Sequence, residues 1–124
     1  MSILSSIRQP LATALAGVSA NVFTHVPENV PVPAVILVPD SPYLEANIIG
    51  KATANFKINL TITCCVAYAS NPAALDNLEQ LTMSVISAIP AGYDITVIER
   101  PTVTQVGSST MLVSDIRVST YYTN

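Results

Sequence analysis

Phe56-Lys57-Ile58-Asn59-Leu60-Thr61-Ile62-Thr63-Cys64-Cys65-Val66-Ala67-Tyr68 is the stretch that decides the fold. Phe56, Ile58, Leu60, Ile62, Cys64, Val66 and Tyr68 occupy every second position, and Lys57, Asn59, Thr61, Thr63, Cys65 and Ala67 take the places between. Side chains of an extended chain point alternately to opposite faces, so the run predicts a long strand with one apolar face. Asn71-Pro72 follows as a helix start, with asparagine as cap and proline at the first helical position. Leu75, Leu78, Thr82, Val85 and Ile89 recur at spacings of three and four, and Leu81 and Ile86 widen the stripe up to Pro90. One core is therefore expected between Phe56, Ile58, Leu60, Ile62 and Val66 and the helix residues Leu75, Leu78, Val85 and Ile89.

Toward the N-terminus, Leu4, Ile7, Leu11, Leu15 and Val18 predict an amphipathic helix from Ile3 to Ala16. Ser2 is its cap and Gly17 its stop, and Pro10 either kinks it or starts a shorter helix. Leu11 to Val18 followed by Val18-Ser19-Ala20 also fits a short secretory signal, but the late Arg8, Pro10 and the helical spacing favour the helix. Asn21 to Val26 is a short strand closed by Pro27, and Pro27 to Pro33 an extended connection. Ala34-Val35-Ile36-Leu37-Val38 suits a strand buried on both faces. Pro39-Asp40-Ser41-Pro42 reads as a turn, and Tyr43 to Ala54, without period, as a loop with one more short extended piece.

Toward the C-terminus, Tyr93 to Arg100 and Met111 to Tyr122 are strands. The link Thr102 to Thr110 holds Gly107-Ser108-Ser109 as turn material and reads, like Tyr43 to Ala54, as a segment mobile until assembly. The order predicts an α+β fold: a mostly antiparallel or mixed sheet of about five strands with two helices packed on one face. The 124 residues fit a single domain, 1–124.

Half the residues are apolar and only 10% are charged, where an average domain carries about 25%. Such a chain is not intrinsically disordered. Its few charges cover a folded surface thinly, which points to burial of part of that surface against other subunits. The net charge is −3 with no basic stripe, which argues against nucleic-acid binding as the main role. No apolar run reaches the roughly 20 residues that span a bilayer.

Little here carries chemistry. His25 is the one histidine, without a visible partner set, and is expected to be structural or at an interface. No Gly-x-Ser-x-Gly, Gly-x-Gly-x-x-Gly or phosphate-loop pattern occurs, and no carboxylate pair stands out. Cys64 and Cys65 are adjacent, so in a strand they face opposite ways: Cys64 is expected in the core and Cys65 on the other face. Asn59-Leu60-Thr61 matches a glycosylation sequon, here a chance match. The expectation is a protein that is not an enzyme, with no catalytic residues, no metal site and no cofactor.

Val22-Phe23-Thr24-His25-Val26-Pro27-Glu28, Pro31 to Val38, Pro39-Asp40-Ser41-Pro42-Tyr43-Leu44-Glu45 and the helix Asn71-Pro72-Ala73-Ala74-Leu75-Asp76-Asn77-Leu78 together resemble the tail terminator (tail completion) proteins of long-tailed bacteriophages. The likeness runs over nearly the whole chain. Pro10 and the vicinal cysteines depart from it. The resemblance implies a virion protein, assembled in the host cytoplasm, that forms a homo-hexameric ring on the head-proximal end of the tail tube. It would stop tube polymerisation and offer the docking surface for the head–tail connector. Its partners would be its own copies, the major tail tube protein and the connector, with no membrane. DNA would pass through the channel without sequence-specific binding, past an acidic wall that repels its backbone. Two other readings stay open: another head–tail connector or baseplate component, and a small secreted binding module.

Overall fold

The computed structural model of the chain describes residues 7, 9–18, 20–24, 33–47, 55–68, 72–106 and 109–123. In chain order these form α1 (Gln9–Leu15), β1 (Asn21–Phe23), β2 (Ala34–Asn47), β3 (Asn55–Ala67), α2 (Pro72–Ala88), β4 (Asp94–Ile98), β5 (Thr102–Val106) and β6 (Ser109–Thr123). The fold is α+β. One sheet runs β1-β2-β3-β6-β4, and β5 also pairs with β6. Only the β1–β2 pair is parallel among the described strands.

The alternating run becomes β3, the central strand. It pairs with β6 from Asn55↔Thr123 to Ala67↔Met111 and with β2 on its other side. Ile58, Leu60, Ile62, Cys64 and Val66 join Val35, Leu37, Ile116 and Val118 on one face of the sheet. Leu11 and Leu15 of α1 and Leu78, Leu81 and Val85 of α2 close over them. Both helices thus pack on the same face, where each fully buried leucine or isoleucine stabilises by about 1.5–3 kcal/mol. Ala34 to Leu37 are buried on both faces, as a run without alternation requires.

The sheet holds six described strands, not about five. The extra strand is β5, in the link that reads from sequence as a mobile turn. β4 and β5 lie end to end along one side of β6, so the six strands fill five lateral positions. Ile98 faces Ile116 while Thr102 faces Val113, a bulge of one residue. Pro101, which has no N–H to donate, sits in it. Gly107 and Ser108 lie outside the described residues.

The expected turn at Pro39 to Pro42 is likewise absent, because β2 continues through it to Asn47. Pro39 faces Leu60 and Leu44 faces Ile58, so the register slips there. β1 covers β2 only at Ala34 to Ile36. The proline stretch therefore lies on a sheet edge at an irregularity, where a missing N–H costs no ladder bond. Tyr43 to Asn47, in the segment read as a loop with one short extended piece, are extended and continue this strand; residues 48–54 lie outside the described set.

The first helix is shorter than Ile3 to Ala16. It begins at Gln9, so Pro10 falls in the first turn, where backbone N–H groups have no partner within the helix. Residues 1–6 lie outside the described set. α2 begins at Pro72 as expected, but Leu75 is 44% exposed and leaves the core. The helix turns Ala74, Leu78, Leu81 and Val85 to the sheet instead. Thr82 is buried with them because its hydroxyl donates 2.9 Å to the Leu78 carbonyl. Tyr68, beyond the end of β3, is half exposed. The Phe56 side chain lies outside the described set.

Between α2 and β4, Gly92 adopts φ 98°, a conformation that glycine alone takes at little cost. The Thr120 hydroxyl of β6 donates 2.7 Å to its carbonyl and pins the turn to the sheet.

Candidate assembly surface

Three features of the folded chain bear on function: the outer edge formed by β4 and β5, the polar part of the sheet face away from the helices, and a groove beside α2. The edge comes first, because it holds four of the exposed large apolar side chains among the described residues.

Every residue of β4 is exposed. Ile95 opposes Val118, Ile98 opposes Ile116 and, on β5, Val103 opposes Leu112, so these three stand on the helix-bearing face. α2 lies over β3 and β6, and the three aliphatic side chains stay 38–50% exposed. Val97, opposite Arg117, stands on the other face and is 45% exposed. Thr96 is the extra residue of a second bulge, and its hydroxyl donates 3.1 Å to the Arg117 carbonyl. No charged residue falls between Ile95 and Ile98, nor between Thr102 and Val106. An exposed edge rich in β-branched residues is a surface prone to pair with another chain.

The sheet face away from the helices divides into two parts. At one end Ala34, Ile36, Cys65, Met111 and Val113 form a second buried cluster, with Phe23 and Val38 packed against it. At the other end polar groups satisfy one another. Arg117 lies 3.8 Å from Asp40 and 3.5 Å from Glu99, and Lys57 lies 3.9 Å from Glu45. The Asn59 amide donates 2.7 Å to Glu45, and the Thr63 hydroxyl donates 2.8 Å to Asp115. Each of these carboxylates has a donor or a cation beside it. The array joins β2, β3, β6 and the chain just after β4. Among the described residues no group of three or more His, Cys, Asp or Glu is placed to hold a metal ion.

Cys64 lies in the main core and Cys65 in the second cluster, on opposite faces, both as free thiols. Burial pushes each up to about 12, against a hydrogen bond between Cys64 and Thr82 that pulls the other way. Burial thus keeps both thiols in the protonated form at neutral pH. His25 lies outside the described residues. Asn59 of the sequon sits on the central strand beside the fully buried Leu60, held by Glu45.

The groove, of about 950 Å³, opens on the far side of the sheet from β4 and β5. One flank of α2 forms its wall, with Val66 and Ala67 of β3, Pro33 ahead of β2, and Gly17 and Val18 after α1.

The exposed edge is the feature that sequence reasoning missed. Tyr93 to Arg100 reads as a strand, but its position at the sheet edge is set by partners elsewhere in the chain. One signal was available: the adjacent Val97 and Ile98 are both apolar, so a strand there presents apolar groups on both faces.

No family model matches the chain, and no curated protein matches it. No helix among the described residues is long and apolar enough to cross a membrane.

Proposed function

We propose that this chain is a structural assembly protein and not an enzyme, acting as the tail terminator of a phage-like particle. In this reading six copies form a ring on the head-proximal end of the tail tube. The ring halts polymerisation, and the head–tail connector docks on it. DNA passes through the channel without sequence-specific contacts. The observation that carries the assembly role is the edge of β4 and β5, with the aliphatic Ile95, Val97, Ile98 and Val103 left 38–50% exposed. An apolar strip of this kind is a surface suited to burial against a neighbour. The more specific terminator role is supported by the sequence resemblance described above.

Deletion of the gene tests it. Tail tubes of uncontrolled length, with heads left unjoined, are expected. Tubes of normal length would overturn the terminator role. Antibody labelling on intact particles should mark the head-proximal end of the tail, whereas label at the distal end would identify a baseplate component.

A further inference from the structure

We draw no further inference here: the strongest candidate, the row of exposed aliphatic side chains Ile95, Ile98 and Val103 along the β4–β5 edge, belongs to the surface already described, and nothing in the structure shows what covers it.

Discussion

The Tyr93 hydroxyl donates a 2.6 Å hydrogen bond to the Ile7 carbonyl, across 86 residues of sequence. It fastens the entry of β4 to the chain just ahead of α1, and Tyr93 packs against the main core as it does so. Tyr93→Phe removes the bond and leaves a partly buried carbonyl without this donor. A loss of about 1 kcal/mol is expected in urea denaturation, with an unchanged m-value. A stability equal to wild type would show that water replaces the hydroxyl without cost.

Leu78 and Leu75 lie three residues apart on α2 and should behave differently. Leu78 is fully buried, so Leu78→Ala should cost about 2–5 kcal/mol. Leu75 is 44% exposed, and Leu75→Ala should cost under about 1 kcal/mol. Equal losses in chemical denaturation would mean that the helix presents a different face to the sheet.

Stability should fall as pH rises above 9. Below that value both thiols are protonated in the folded and unfolded chain, and their contribution is complete. Burial holds Cys64 and Cys65 protonated to about 12 in the folded state, whereas the unfolded chain gives up both protons near 9. The unfolded state therefore binds fewer protons across the window from 9 to 12, and the folded state loses ground by up to about 1.4 kcal/mol per pH unit for each thiol. Burial raises Tyr93 too, which adds in the same direction at the alkaline end. Cys65→Ala should flatten the slope by one thiol's share. An unchanged slope would show that Cys65 is solvated.

Native Cys64 and Cys65 should resist a thiol reagent at pH 8 and both react in denaturant, because the thiolate is the reactive form and both side chains are buried. Rapid labelling of one thiol in the folded chain would reveal local opening of β3.

Arg117 bridges Asp40 and Glu99 from a side chain 46% exposed. Solvent screens such pairs, so Arg117→Ala should cost no more than about 1 kcal/mol, and the cost should shrink in high salt. A larger, salt-independent loss would mean that the array is buried when copies assemble.

The local pattern of the chain was enough to establish β3, α2 and the apolar faces they share. Alternation at period two and recurrence at three and four follow from the geometry of each element, whatever the rest of the chain does. The opposite placement of Cys64 and Cys65 followed from the same rule. Three outcomes needed the tertiary structure. Pro39 and Pro42 read as a turn, but β1 is too short to cover that part of β2, so a strand edge accommodates them. Thr102 to Val106 carries no strong periodic signal and becomes β5 because β6 extends far enough to pair with it. Ile95, Ile98 and Val103 are aliphatic, and nothing in their own stretches of sequence assigns them to a core or to an edge. They are exposed because the helices end their cover at β6, and which strand a helix covers depends on contacts distant in sequence. For that reason the candidate assembly surface was not legible from its own residues: an aliphatic strand has the same composition in a core and at an edge, and only its neighbours in space distinguish the two.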